Sequence, residues 1–141
     1  AGADGMMIQS FMKEDSQSFM QRNHLLARAE INDQIAICAG EEDRYYDSVT
    51  AAQAADMLLQ MAGIDASFVI TRRSNDVVGI SARSLGDFNV QVIMEQMGGG
   101  GHLANAATQV TGKTVTEVKD QLEQLLNGEQ LPNGKEETEE D

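Results

Sequence analysis

The stretch of sequence that decides the fold spans residues 67–82 and reads SFVITRRSNDVVGISA. Two segments of it, Ser67–Thr71 and Val77–Ala82, are apolar and short, which is typical of strands. The residues between them include Asn75 and Asp76, whose side chains tolerate the backbone conformations of tight turns. The stretch therefore predicts a β-hairpin.

On both sides of this hairpin the sequence predicts further helices and strands. The predicted elements are a helix from Met6 to about Glu30, a strand over Ile35–Ala39, a helix over Thr50–Ala62, a helix over Phe88–Met97, a short helix from His102, a strand over Thr108–Thr111 and a helix over Val115–Leu126. After the first helix, the chain order with the hairpin is β, α, β, β, α, α, β, α. This order predicts an α/β fold with a mixed β-sheet and flanking helices.

Several of the predicted helices carry recognisable end signals. The segments Thr50-Ala51-Ala52-Gln53 and Thr114-Val115-Thr116-Glu117 have the pattern of a capping box, in which the side chains of the first and last residue satisfy free N–H groups. Asp87 is placed to cap the helix that follows it. Gly63 and Gly128 suit the left-handed backbone position beyond a helix end.

The composition predicts one globular domain with an excess of acidic residues. The chain has 141 residues and a formal net charge of −13, which repels polyanions and excludes broad binding to duplex DNA. No apolar run approaches the roughly 18 residues that span a bilayer, so direct membrane contact is not expected. Residues 69–115 are an exception to this acidic character. With four basic and three acidic residues, this region has a net charge of +1.

Cys38 is the only cysteine of the chain. A single cysteine excludes an intrachain disulfide and a CxxC metal site, and it fits a reducing cytosol. Because Cys38 lies in a predicted strand, we expect a packed thiol in the core. A reactive nucleophile would need a neighbouring histidine or a helix N-terminus, and the sequence places neither beside it.

Four consecutive glycines lie between two predicted helices. Such a run lets the backbone approach a ligand and turn N–H groups toward it, and a helix that begins at His102 would direct its positive end to the same place. The His102 ring adds a donor, and Asn105, one turn later, is placed to reach a base or ribose. The pattern predicts an anion site formed by Gly98, Gly99, Gly100, Gly101, His102 and Asn105. The alternative is a flexible loop with a surface histidine.

Ser81 and Arg83 lie two positions apart at the end of the second hairpin strand, so both side chains face the same side of the sheet. Arginine binds phosphate through two hydrogen bonds, and serine adds a neutral donor beside it. Their location in the region without net negative charge favours phosphate binding over a surface salt bridge. Together with the glycine run, they predict a phosphate-binding cradle.

Metal-assisted hydrolysis requires clustered Asp and His side chains that hold ions about 4 Å apart. The two histidines, His24 and His102, are 78 positions apart, and no D-x-D or D-H-H pattern is present. We therefore expect no catalytic residue, no metal site and no other cofactor in this chain.

These residues resemble a known family. The segment Gly98–His102, followed by LANAA at 103–107, is similar to the signature of the DHHA1 domain, the substrate-binding module that follows the DHH catalytic domain in a phosphoesterase superfamily. The segment VGISARS at 78–84 is similar to the other characteristic element of that module. The stretch 67–109, with GDFNVQVIM at 86–94, resembles the C-terminal end of the membrane-anchored cyclic-di-AMP phosphodiesterases of Gram-positive bacteria.

The resemblance implies a division of labour within a longer protein. A DHH domain of the same chain would hold two Mn²⁺ ions and the attacking water, while this domain would grip a cyclic dinucleotide or short adenine nucleotide. Ser81, Arg83, the glycine run and His102 fall on positions that contact phosphate or base, with Asn105 and Thr108 as further candidates. The full protein would hydrolyse cyclic-di-AMP to 5′-pApA and would be anchored in the cell membrane, with this domain in the cytoplasm.

The same resemblance implies three segments. Residues 1–30 would be a linker helix that leaves the DHH domain, and residues 31–128 would be the DHHA1 nucleotide-binding domain. Residues 129–141 hold six acids and one lysine, which predicts a solvated, disordered tail.

Two other functions remain open from the sequence. The domain could serve an enzyme that acts on short oligoribonucleotides or on 3′-phosphoadenosine 5′-phosphate, because the glycine motif does not separate these ligands from a cyclic dinucleotide. Alternatively, the chain could be a non-enzymatic module that forms a homodimer or docks on a partner through the methionines of its first helix.

Overall fold

The computed structural model describes residues 16–128 of the chain. Its elements are α1 (residues 16–26), β1 (Ala29–Asn32), β2 (Ile35–Ala39), α2 (Ser48–Leu59), β3 (Ala66–Ser74), β4 (Val77–Ser84), α3 (Val90–Gln96), β5 (Gly100–His102), β6 (Asn105–Thr111) and α4 (Val115–Leu126). The start of the predicted first helix and the predicted acidic tail lie outside the described residues.

The strands form one six-stranded sheet in the order β1-β2-β3-β4-β6-β5. Strands β2 and β3 are parallel, and every other neighbouring pair is antiparallel. The parallel pair needs a crossover connection, which α2 supplies. The expected α/β fold with a mixed sheet and flanking helices is confirmed.

The predicted hairpin is β3 and β4 at the centre of the sheet. Ile70 pairs with Ile80 and Phe68 pairs with Ala82, so the apolar side chains of both strands meet on one face. The strands are longer than predicted, and the connecting turn is reduced to Asn75 and Asp76.

Each face of the sheet has its own apolar cluster. On one face, α3 and α4 cover the central strands. Its buried residues include Phe68, Ile70, Val78, Ile80, Ala82, Val90, Ile93, Met94, Ala106, Val115, Val118, Leu122 and Leu125. On the other face, α2 packs on β3 and β4, and the apolar cluster that α1 and α2 form with the sheet buries Leu25, Ala36, Cys38, Ala51, Ala54, Ala55, Leu58 and Val69. The small residues of α2 let this helix lie close to the sheet.

The predicted helix to Glu30 is wrong at its end, because Ala29–Asn32 forms strand β1. This strand lies at the sheet edge, and three of its four residues are exposed. It therefore lacks the apolar alternation that identifies a half-buried strand, and its polar residues continue the pattern of the preceding helix.

The predicted short helix from His102 is also wrong. Gly100–His102 is strand β5, and Asn105–Thr111 is strand β6, which begins three residues earlier than predicted. The two strands pair as an antiparallel hairpin, with His102 opposite Asn105. The structure therefore has no helix N-terminus at His102.

Capping of the helix N-termini agrees with the sequence in one case out of three. Thr114 forms the predicted capping box at the start of α4. At α2, however, the cap is Asp47, whose carboxylate accepts a hydrogen bond from the Thr50 N–H at 2.7 Å. At α3 the cap is Asn89 rather than Asp87.

Cys38 is fully buried, as expected, and its Sγ donates a hydrogen bond to the carbonyl oxygen of Leu25 at 2.8 Å. Burial raises the pKa of the Cys38 thiol to about 12, although the charge of Arg28 acts in the opposite direction. The thiolate required for reaction is therefore scarce at neutral pH.

We expect Cys38 to resist Ellman's reagent at pH 8 in the native protein and to react promptly after unfolding in urea. Absorbance at 412 nm measures the free thiol in both conditions. Prompt labelling without denaturant would contradict the buried placement of this residue.

Candidate functional site

An open cleft lies on the face of the sheet that α2 covers only in part. The first turns of α2 and strands β4 and β6 line a cleft of about 730 Å³ there. The lining residues are Ser48, Val49, Ala52, Arg73, Ser81, Arg83, Gly98, Asn105, Ala107, Thr108 and Gln109. This set contains two arginines and no carboxylate, so the cleft of an acidic chain presents positive charge.

The structure brings Ser81, Arg83 and Asn105 together in this cleft. Arg83 pairs with Asn105 across β4 and β6, and Ser81 pairs with Ala107. Because cross-strand partners share a face and side chains alternate along a strand, these residues lie on one surface. Ser81 is almost fully buried at the base of the cleft.

Arg83 is held by hydrogen bonds that leave part of its guanidinium group free. Its Nε donates to Oδ1 of Asp56 on α2 at 2.8 Å, and its Nη1 donates to the carbonyl oxygen of Ala82 at 2.9 Å. The Arg83 side chain is 15% exposed, whereas that of Asp56 is 55% exposed. The exposed carboxylate neutralises part of the Arg83 charge and orients the group over the cleft.

The glycine run shapes the cleft wall, but the expected cradle of N–H groups is wrong at its first two members. The N–H of Gly98 donates to the Glu95 carbonyl at 3.1 Å, and that of Gly99 donates to the Met94 carbonyl at 2.8 Å. With φ of 89° at Gly98, these bonds form a Schellman motif at the end of α3. Both donors are therefore used inside the protein.

Gly99 is also required for close packing, because it lies directly against β6. A Cβ at this position would stand 2.1 Å from the carbonyl oxygen of Ala107. Only a residue without a side chain permits this approach. Gly100 and Gly101 continue into β5, and neither of them lines the cleft.

His102 and Thr108 occupy positions that the sequence did not anticipate. His102 is exposed and does not line the cleft, although its pairing with Asn105 places it on the cleft side of the sheet. Thr108 is buried and pairs with Ile80, and its Oγ1 donates to the Met97 carbonyl at 2.9 Å. This hydrogen bond joins β6 to the end of α3, and Thr108 is among the residues that line the cleft.

Arg73 is the charged lining residue that sequence reasoning missed, because the sequence pattern places it in the hairpin turn. It lies in β3, at a register shift between Arg72 and Ser74. Its Nε donates to Thr71 Oγ1 at 2.9 Å, and its Nη2 approaches Ser81 Oγ at 3.5 Å. The sequence does contain a signal for Arg73 as a binding residue, because it is an additional arginine in the one region without net negative charge.

Two other kinds of site are not found within residues 16–128. No group of three or more His, Cys, Asp or Glu side chains is arranged to hold a metal ion there. Within the same range, no helix combines the length and the apolar character needed to cross a bilayer. The only histidine outside the cleft region in that range, His24, lies 3.3 Å from the Glu41 carboxylate.

Residues 32–128 match the model of the DHHA1 domain. This range runs from the end of β1 to the glycine that follows α4. It therefore includes the central hairpin, the glycine run and every residue that lines the cleft.

Curated proteins of closely similar sequence are phosphodiesterases by name. The chain is 55% identical over 122 residues to the cyclic-di-AMP phosphodiesterase PdeA of Listeria monocytogenes, which covers 86% of this chain and 19% of that protein. It is 49% identical over 127 residues to the cyclic-di-AMP phosphodiesterase GdpP of Geobacillus thermodenitrificans, covering 89% of this chain and 19% of the relative. The chain thus spans about a fifth of the length of these relatives.

Solved structures of low sequence identity share the fold. An exopolyphosphatase-related protein from Bacteroides fragilis superposes with a TM-score of 0.63 at 18% identity, over 76% of this chain and 34% of that one. A pGpG-specific phosphodiesterase from Vibrio cholerae superposes with a TM-score of 0.54 at 15% identity, over 81% and 40%. Both support the α/β assignment.

Proposed function

This chain belongs to the DHHA1 domain family, and from that premise we propose that it is the nucleotide-binding domain of a cyclic-di-AMP phosphodiesterase. The observation that carries the proposal is the positively charged cleft of an acidic protein, lined by Ser81, Arg83, Gly98 and Asn105. The 55% identity to a protein named as such an enzyme supports the choice of ligand.

In this proposal the phosphate group is bound by Arg83 and Ser81. The guanidinium group supplies charge-assisted hydrogen bonds, and the Ser81 hydroxyl donates a neutral one. Asn105, across the strand pair from Arg83, offers an amide to the base or ribose. His102, exposed beside Asn105, contacts the part of the nucleotide that projects from the cleft.

The chemical step belongs to a separate DHH domain in this proposal. That domain would supply Mn²⁺ ions that activate the water, because residues 16–128 have no ligand cluster for a metal. The domain described here would position one part of the substrate, and the parent protein would be anchored in the membrane with this domain in the cytoplasm.

We expect the chain to bind 5′-pApA and cyclic-di-AMP weakly and to hydrolyse neither. Binding is measured by isothermal titration calorimetry, and hydrolysis by chromatography after incubation with cyclic-di-AMP and Mn²⁺. The weak affinity follows from a cleft that contacts its ligand from one side only.

An Arg28→Met variant is a suitable control for this titration, because it removes one positive charge outside the cleft and should retain the wild-type affinity. Absence of binding to both ligands would overturn the proposed function. Formation of 5′-pApA by the pure chain would contradict the assignment of the chemistry to another domain.

A further inference from the structure

Arg73 is placed by a local irregularity of the central hairpin. Thr71 pairs with Gly79 and Ser74 pairs with Val77, so Arg73 is an extra residue that bulges from the β3 ladder. Its guanidinium group lies flat on β4, where a Cβ at Gly79 would stand 2.5 Å from Arg73 Cζ. The absence of a side chain at Gly79 thus creates the space that the guanidinium group fills.

The Arg73 charge has no counter-ion in direct contact. No carboxylate of residues 16–128 lies within 4.0 Å of it, whereas Arg72 and Arg83 each pair with an acid. Burial lowers the pKa of Arg73, and the negative charge of Asp47 offsets this only in part. Burying a cation that has unused hydrogen-bond donors raises the free energy of the folded protein unless an anion pairs with it.

Arg73 and Arg83 lie at opposite ends of the cleft floor. The Arg73 guanidinium covers Gly79, and Arg83 follows four residues later on the same strand, which puts the Cα atoms of Gly79 and Arg83 about 13 Å apart at the usual rise of a strand. Ser81 lies between them and approaches Arg73 Nη2 through its hydroxyl oxygen. The cleft therefore has two cationic positions on either side of Ser81, and a ligand with two phosphate groups has a partner at each of them.

We propose that Arg73 forms a second phosphate-binding position in the cleft, so that a ligand with two phosphate groups is held by Arg73 at one and by Arg83 at the other. The inference rests on the proposed nucleotide-binding function and adds a specificity for nucleotides with two phosphate groups over nucleotides with one. Arg73 is in this role a binding residue, and Gly79 is the position that lets it lie against the sheet.

The test compares 5′-pApA, with two phosphates, and AMP, with one, in calorimetric titrations of the 141-residue chain. We expect Arg73→Met to weaken 5′-pApA binding about fivefold and AMP binding less than about twofold. Arg83→Met should weaken both ligands. The charge-matched control Arg28→Met should change neither, since Arg28 does not line the cleft.

A second variant moves Arg73 without removing it. Gly79→Ala places a methyl group where the guanidinium group lies, and the flexible end of Arg73 can yield without disturbing the backbone. It should reproduce the selective loss of 5′-pApA affinity, whereas Gly100→Ala, whose Cβ meets nothing within 4 Å, should not.

Unchanged 5′-pApA affinity in Arg73→Met and Gly79→Ala would overturn the second position, as would an equal loss for both ligands. Wild-type protein that binds neither ligand would overturn the proposed function itself. The two failures are therefore distinguishable.

Discussion

Replacing Gly99 with alanine should destabilise the protein by about 2 to 3 kcal/mol, the upper range for overpacking at a rigid site. The added Cβ would meet the Ala107 carbonyl oxygen at 2.1 Å and the Thr108 Cα at 2.7 Å. Both are backbone atoms of β6, so relief requires the hairpin of β5 and β6 to separate. The free energy of unfolding, measured by urea denaturation with circular dichroism, reports the change.

Gly100→Ala is the matched control for this prediction. It adds the same methyl group one residue later, but its Cβ meets nothing within 4 Å and its backbone has no positive φ. We expect a change within about 0.5 kcal/mol. Equal stability of the two variants would contradict the close packing of Gly99 on β6 and the structural role assigned to the glycine run.

Replacing Arg83 with alanine should weaken 5′-pApA binding by at least about tenfold. The substitution removes a charge-assisted hydrogen bond to phosphate, and it leaves the Asp56 carboxylate near the ligand without its positive partner. Both effects act in the same direction. Titration calorimetry measures the affinity, and a thermal melt of each variant verifies that the fold is retained.

The Asp56→Asn substitution removes the negative charge beside Arg83 but retains the hydrogen bond that positions its guanidinium group. The amide keeps an oxygen acceptor for Arg83 Nε but removes the competing negative charge. We expect binding about threefold tighter, because a unit charge roughly 6 Å away in water is worth about 0.7 kcal/mol. Weaker binding in Asp56→Asn together with normal binding in Arg83→Ala would refute the role of this pair in anion binding.

The central hairpin and the shared face of Ser81 and Arg83 could be predicted because both depend on local rules. Apolar strands joined by Asn75 and Asp76 define the hairpin, and the period of two places alternate side chains on one face. The capping box at Thr114 is similarly local. These features require no knowledge of the tertiary packing.

The glycine run could not be interpreted correctly from sequence alone. A glycine is compatible with a ligand contact, a left-handed backbone or a close approach between strands. The choice depends on β6, whose backbone lies against Gly99, and on α3, whose carbonyl groups accept from Gly98 and Gly99. Without these neighbours, a helix beginning at His102 was an equally consistent interpretation.

The role of Arg73 was hidden for a related reason. A bulge inserts one residue into a strand, and sequence patterns locate strand ends only approximately. The sequence pattern therefore places Arg73 in the turn, beyond the end of β3. Its position on Gly79 became evident only from the register of β3 against β4.

The most direct test of the nucleotide-binding cleft is the backbone amide spectrum of the isotope-labelled chain during titration with 5′-pApA. We predict that the largest shifts occur at Ser81, Arg83, Gly98 and Asn105, on the open face of the sheet. Shifts confined to α3 and α4, which cover the opposite face, or no shift at saturating ligand, would contradict the account.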